Sequence, residues 1–323
     1  LRDFKRWLDV HDCYVFTING FPYGEFHGTR VKEQVYRPDW TTPERLDYTL
    51  QMFELLAALL PADVAEGSVS TLPGSFKEFV TSPAMERQMR DQFWRCVEAV
   101  AQLSERTGKR FHLGVEPEPL GWFEDGAETV KFFEQMRAEH PKDERLERHL
   151  GVTYDTCHFA LQYESPAKAV ADFQEHGIFL SKIHFSNALK LHTTPDLLSQ
   201  LADFADDVYL HQVIVRHPDG SLDRFRDLPP ALRHGDPFTD TEWRVHFHVP
   251  LHWTGHEGLE TTSDHVLDLL GVLKNQPKLC SHAEMETYTW AVLPEPLRTR
   301  TVAEQLVAEY DWMLKRFRAQ NLA

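Results

Sequence analysis

Short apolar, β-rich runs alternate along this chain with longer stretches whose apolar residues recur at helical spacing, the pattern of βα units around a parallel sheet. The runs that predict strands are CYVFTI (13–18), GSVSTL (67–72), FHLGVE (111–116), GVTYD (151–155), IFLSKIHF (178–185), RVHFHV (244–249) and KLCSHAEME (278–286). Amphipathic segments at 43–60, 84–107, 126–139, 165–176, 262–274 and 298–318 predict helices between them. Pro43 after Thr42 and Pro166 after Ser165 mark helix starts, because proline at the first helical position gives up no needed N–H. Seven strand runs are one short of a (β/α)8 TIM barrel, and residues 1–10 read as the end of a helix. The expectation is a single TIM-barrel domain over 1–323, α/β in class, whose first strand precedes Leu1, so that its N-terminus is incomplete. The stretch 208–227 departs from the pattern: it alternates on both sides of Asp219-Gly220, a two-residue turn signal, and predicts a β-hairpin inserted on one barrel loop. No repeat, low-complexity tract or Gly/Ser linker marks a second domain.

Composition narrows the partners. The chain is 42% hydrophobic and 26% charged, within the range of a folded globular protein. Lys and Arg total 34 against 50 Asp and Glu, a formal charge of −16, and no basic run offers phosphates a footprint; nucleic acid is excluded as a partner. Membrane insertion is excluded too, since no run of about 18 apolar residues exists. The opening LRDFKRWLDV is charged where a signal peptide needs an apolar core. Cys13, Cys96, Cys157 and Cys280 are far apart with no CxxC, which argues against a disulfide framework or thiolate zinc site and for a cytoplasmic location. A homo-oligomer is compatible with all of this.

Barrel chemistry sits at the carboxyl ends of strands, and four such ends here hold metal-type ligands. In GVEPEP, Glu116 and Glu118 share a strand face. In YDTCH, Asp155 and His158 are three apart and reach one cavity from a tight turn. KIHFSN contributes His184 and Asn187, and in SHAEMETYTW the residues His282, Glu284 and Glu286 alternate on one face with Glu286 outermost. Three carboxylates and one imidazole make an oxygen and nitrogen shell suited to a divalent ion such as Mn, Zn, Co or Mg. Each residue alone reads more readily as a solvated strand-end acid or a hydrogen-bonded core histidine than as a ligand. Their convergence changes that balance, because carboxylates about 4 Å apart repel by several kcal/mol without a cation between them.

These strand ends resemble the site of the xylose-isomerase-like TIM barrels, the superfamily of sugar isomerases, ketose 3-epimerases and endonuclease-IV-type nucleases. The family's Glu followed six residues later by a second Glu matches Glu118 and Glu124, with Glu116 as the alternative ligand. Asp155 and His158 match its Asp-x-x-His, His184 its next ligand, and Glu286 in ETYT its closing Glu. The resemblance implies Glu118, Asp155, His184 and Glu286 as metal ligands, Glu118 and Glu286 also as acid and base, His158 on a substrate hydroxyl, and Glu124 assisting from behind. A narrower resemblance, to EboE-type metabolite-traffic proteins, rests on FTINGFPYGEFHGTRVKEQVYRPDW (16–40), STLPGSFKEF (70–79), EWRVHFHVPL (242–251) and HAEMETYTWAVLP (282–294). It implies the making or moving of a small metabolite and no defined reaction.

RVHFHV adds His246 and His248 on one face. In the nuclease branch this strand end and the Asp-x-x-His histidine build further zinc sites, so His158, His246 and His248 are a candidate second metal position. The histidines that branch carries after its second and third strands are replaced here by Asn19, Ser70 and Thr71, which argues against a three-metal cluster. No carboxylate accompanies His246 and His248 in the sequence, which favours them, with Asn19, as holders of substrate hydroxyls. Phe21, Tyr23 and Phe26 read as a substrate lid or plain loop packing, and His27, Arg30 and Lys32 as groups that orient a polar substrate or are simply solvated. His112, at the start of its strand, points to the far end of the barrel and reads as structural. The sequence therefore predicts a metal-dependent isomerase or epimerase acting on a small polyhydroxylated, sugar- or cyclitol-like metabolite. Its alternatives are a non-catalytic metabolite-binding protein of an Ebo-type pathway and a zinc-dependent phosphodiester hydrolase.

Overall fold

Eleven strands in the computed structural model, which describes residues 1–24, 31–234, 240–289, 293 and 300–322, fall into two sheets. In chain order they are β1 Thr17–Asn19, β2 Glu66–Thr71, β3 Arg110–Val115, β4 Leu150–Asp155, β5 Leu180–Phe185, β6 Asn187–His192, β7 Val213–Arg216, β8 Leu222–Phe225, β9 Glu242–Val249, β10 Leu259–Thr261 and β11 Ala283–Met285. The first sheet is wholly parallel in the order β1-β2-β3-β4-β5-β11, and the second is antiparallel in the order β10-β6-β9-β7-β8. Helices at Pro43–Leu59, Pro83–Thr107, Gly126–Glu139, Pro166–Glu175, Ser263–Asn275 and Val302–Ala319 fall where the amphipathic segments place them. Phe26, His27 and Arg30 lie outside the described residues.

The parallel sheet is curled into a barrel-like wall. Side chains bridge strands that are not neighbours in the ladder: Ser68 on β2 meets His282 at 2.6 Å, Lys182 on β5 reaches Ser70 on β2 at 3.4 Å, and Asn19 on edge strand β1 donates to Glu286 beyond edge strand β11 at 2.7 Å. Alternation separates the two faces. Val69, Leu113, Val152 and Ile183 join the apolar core with Phe53, Phe93 and Phe133 of the surrounding helices, whereas the intervening positions carry Ser70, Gly114, Thr153 and Lys182. Between Val152 and Thr153 the register with β5 shifts past Ser181. This bulge is why consecutive residues Ser181 and Lys182 both bond to interior side chains.

The sequence expectation of seven parallel barrel strands needs correction. Six described strands run parallel, and RVHFHV, expected among them, is β9, paired antiparallel to β6 and β7. Its apolar residues Trp243, Val245, Phe247 and Val249 join a second core with Leu189, Leu191 and Val213, while the alternate positions carry His246 and His248. Period-two alternation identifies such a strand and its two faces but not its partner. The predicted hairpin is present as β7 and β8, turned at 217–221, and belongs to this second sheet. Strand β6 was not foreseen because Ser186 alone separates it from β5.

Gly114 occupies the interior layer directly beneath Glu116. A Cβ there would collide with Thr153 Oγ1 and approach Ser181 Oγ to 2.9 Å. Gly114→Val should therefore cost about 1–3 kcal/mol by overpacking. A fall in the urea midpoint at unchanged m-value checks this, and an unchanged midpoint contradicts it.

Candidate metal centre

The end of β3 sets the first ligand. Glu116 N still bonds to Thr71 O as the ladder requires, so its side chain keeps the inward parity of His112 and Gly114. Pro117 then breaks the strand, and Glu118 turns away with its own N–H on Phe123 O at 3.4 Å. Asp155 closes β4 and caps the short helix Thr156–Leu161: Oδ1 accepts from Cys157 N at 2.7 Å, His158 N at 3.1 Å and Ser186 Oγ at 2.6 Å. Those bonds aim Oδ2 back toward the barrel axis. His184, fully buried on β5, presents Nδ1 at 2.9 Å from Glu286 Oε2, 3.0 Å from Glu116 Oε1 and 3.9 Å from Asp155 Oδ2. Asn19 Nδ2 holds the other oxygen of Glu286, and Asn19 Oδ1 accepts from Phe21 N at 3.1 Å.

Glu116, Asp155, His184 and Glu286 thus offer one donor atom each within 4.8 Å of one another. Glu118, expected as the first ligand, is not in this set; Glu116, the alternative, is. Parity arguments hold only while the strand continues, and Pro117 ends it. Glu118 Oε2 instead lies 3.2 Å from His158 Nε2, and Oε1 lies 4.0 Å from His246 Nε2. The expectation that no carboxylate accompanies the β9 histidines is overturned by this contact. His246, His248 and His158 do converge, with His246 Nε2 3.3 Å from His248 Nε2. His158 Nδ1 lies on Pro117 O and His248 Nδ1 on Glu286 O, so each of these rings donates there and leaves its Nε2 free to accept.

The donor set fits a divalent cation. Glu116 Oε2 and Asp155 Oδ2 are buried with no hydrogen-bond partner, whereas such atoms are nearly always paired; the unpartnered Nε2 of His184 faces Glu284 at 3.6 Å, away from the cluster. The electrostatics point the same way. Burial raises the Glu116 carboxyl to about 7 despite the opposing pull of His184. Glu118 is pushed well above the carboxylate range by burial and then by Glu116 and Asp155. Burial alone would lower His184, yet Glu286 and Glu116 outweigh it and hold the imidazole well above its ordinary value. Burial drives His158 and His246 well below theirs. In the metal-free chain, protons therefore take the place that a cation fits.

The remaining expected residues divide. Asn19, Glu118, His158 and His246 line a cavity of about 310 Å³ above the cluster, together with Phe21 and Tyr36. Glu124 is not among its lining residues; its oxygens are taken by Lys77, Leu120 N and Gln212. Lys32 lines the cavity, but its Nζ is committed to Asp206 O, Tyr209 O and Asp227. Two features escaped the sequence. Lys182, with no exposed surface, bonds Glu284 at 2.5 Å beneath His184, and Tyr36 OH donates to Pro119 O at 2.8 Å to pin the turn that carries Glu118. Nothing in local patterning marks either, since each depends on a partner more than 80 residues away.

No known family model matches this chain, nor does any curated protein sequence. In structure it is similar to a D-tagatose 3-epimerase-like protein, with 13% identity, a TM-score of 0.51, and 99% of this chain and 83% of that one covered. It is also similar to the probable 3-DHS dehydratase AsbF of petrobactin synthesis from Bacillus anthracis, with 12% identity, a TM-score of 0.48, and 97% and 81% covered. At such identity the first likeness shows the fold alone, and the second carries no argument. The fold is TIM-barrel-like, a curled parallel sheet with an antiparallel sheet beside it. None of the helices among the described residues is long and apolar enough to cross a membrane.

A carboxyl raised in the folded state binds a proton that the unfolded chain has released. Stability of the chelated protein should therefore fall as pH climbs from about 4.5 to about 7, by on the order of 3 kcal/mol from Glu116. The raised His184 acts in the same direction: its stabilising protonation is complete below the ordinary imidazole value and is lost as pH rises through the folded one. Melting of chelated wild type and Glu116→Gln across pH 5–8 checks this. The variant should show the shallower slope and lose more metal affinity than Glu118→Gln; equal slopes contradict the assignment.

Proposed function

We propose that this protein is a divalent-metal-dependent isomerase or epimerase acting on a small polyhydroxylated, sugar- or cyclitol-like metabolite, with Glu116, Asp155, His184 and Glu286 as ligands. The observation that carries the reading is the set of donor atoms from four strand ends, two of them on buried carboxylates with an unpartnered oxygen, at the foot of a cavity of about 310 Å³. Oxygen donors with one imidazole suit Mn, Zn, Co or Mg. Bound there, such an ion supplies Lewis acidity toward a carbonyl oxygen.

The chain's own residues supply the rest. Glu286 faces the cavity with one oxygen fixed by Asn19, placing a carboxylate to take a proton from carbon. Glu118, held protonated by burial and its acidic neighbours, also lines the cavity and can deliver a proton to the substrate, with His158 Nε2 at 3.2 Å as its relay. His246, kept neutral by burial, suits a substrate hydroxyl as donor or acceptor. Phe21 and Tyr36, edge to face with centroids 5.5 Å apart, wall off water. The EboE-type resemblance sets such a protein in a pathway that makes or moves a small metabolite.

A second reading, metal-assisted hydrolysis of a phosphodiester, has one observation in its favour: Glu118, His158 and His246 form a further three-donor set beside the first. Against it, Thr71 Oγ1 accepts from Trp40 Nε1 and Asn19 is committed to Glu286 and Phe21, so neither stands in for a nuclease ligand.

Metal-loaded protein incubated with a panel of ketoses and cyclitol ketones in D2O should incorporate deuterium beside the carbonyl of at least one, read by NMR. Glu286→Gln should slow exchange by about 10²–10⁴-fold. Binding without any exchange across the panel would leave a carrier, and cleavage of a phosphodiester without exchange would favour the second reading.

A further inference from the structure

The barrel interior has a second end, which the proposed chemistry does not use. There Glu66 on β2, His112 on β3 and His282 just before β11 bring one carboxylate and two imidazoles within 4.8 Å of one another. His282 and Glu286 flank β11 on opposite sides, so the rise of about 3.3 Å per strand residue separates this cluster from the first by roughly 13 Å. We propose that Glu66, His112 and His282 form a structural site for a transition-metal cation of zinc type, distinct from the centre at the other end of the barrel.

The argument starts from the rings. His112 Nδ1 lies 2.7 Å from Ser181 Oγ, and His282 Nδ1 lies 2.6 Å from Ser68 Oγ. Each serine fixes its ring by the nitrogen that does not face the carboxylate, the arrangement that ordinarily orients a ligating histidine. The two rings stand nearly parallel, 25° apart with centroids 5.3 Å apart. Their Nε2 atoms both approach Glu66, His112 to Oε2 at 3.8 Å and His282 to Oε1 at 4.0 Å. Zinc–nitrogen and zinc–oxygen bonds of about 2.0–2.2 Å in a tetrahedral set put ligand atoms about 3.4 Å apart, so the side chains need close by only about half an ångström to hold one ion. Neither distance is a hydrogen bond. His112 is 2% exposed, and its Nε2 has no partner at all, a cost that a structure rarely carries unless something fills the place.

Charge and access agree. Burial lowers both imidazoles, His282 to about 4, so both are neutral near pH 7 and bind without losing a proton. Glu66 is 27% exposed in its side chain and gives an ion a route in; Arg110 at 3.3 Å and Ser281 hold the same carboxylate in place. Two imidazoles and a carboxylate are the donors zinc or cobalt prefers over magnesium or calcium. The ion would tie β2, β3 and the approach to β11, three segments of the curled sheet that no single ladder joins.

The test is a count of bound zinc on the whole chain, chelated, dialysed, loaded with zinc chloride and desalted before elemental analysis. His112→Ala and His282→Ala should each lose one equivalent relative to wild type, and zinc should raise their melting temperature less. Glu66→Gln, at a partly exposed position, gives the same reading should an alanine variant fail to fold. His184→Ala should keep this equivalent while losing that of the other centre, so failure at either end is told apart. Wild-type zinc content in Glu66→Gln and in every folded histidine variant would overturn the proposal.

Discussion

Burying a polar group away from water costs about 1–3 kcal/mol unless it finds a partner, and the inner face of this curled sheet is polar almost throughout. From Ser68 and His112 at one end, through Thr153 and Lys182, to Glu116, Asp155 and His184 at the other, alternate positions carry groups that must be satisfied by one another. The middle layer solves part of this internally: Lys182, with no exposed surface, pairs with Glu284, and the Ser181 bulge brings a hydroxyl to His112, while Thr153 Oγ1 keeps no partner. The ends do not. Unpartnered atoms remain on Glu116, Asp155 and His184 above and on His112 below. Both cation proposals follow from that one imbalance, and the Glu116 carboxyl, raised to about 7, is the same imbalance expressed as a proton.

The second sheet gives the upper end its character. By leaving the parallel ladder, β9 packs Trp243, Val245 and Phe247 into a core of its own and turns His246 and His248 toward His158 and Glu118. Tyr36 and Arg45 brace the opposite wall, Arg45 through the carbonyls of Gly20, Phe21 and Pro38. The cavity therefore joins an acidic floor to a wall of imidazoles, two of which, His158 and His246, burial holds well below their ordinary value.

Much of this was legible in the sequence, for definite reasons. Helix positions followed from apolar spacing and from Pro43 and Pro166, and Asp155, His184 and Glu286 could be brought together because each lies at or within one residue of the end of a strand whose parity is readable. Glu118 and Glu116 exchanged places because alternation does not survive Pro117. Glu124, expected behind the site, lies outside the cavity lining, and its spacing from Glu118 says nothing of Lys77 and Gln212, which take its oxygens. Strand β9 was assigned to the wrong sheet because its faces, and not its neighbours, are written in its sequence. The cluster of Glu66, His112 and His282 draws on segments more than 200 residues apart, which only the curled sheet brings together.

The most direct measurement is a crystal structure of the protein loaded with manganese or zinc, with anomalous diffraction recorded at the metal's edge. The account predicts a peak about 2.0–2.3 Å from oxygens of Glu116, Asp155 and Glu286 and from Nδ1 of His184. A peak held instead by Glu118, His158 and His246, with the first four side chains still bonded only to each other, would contradict it.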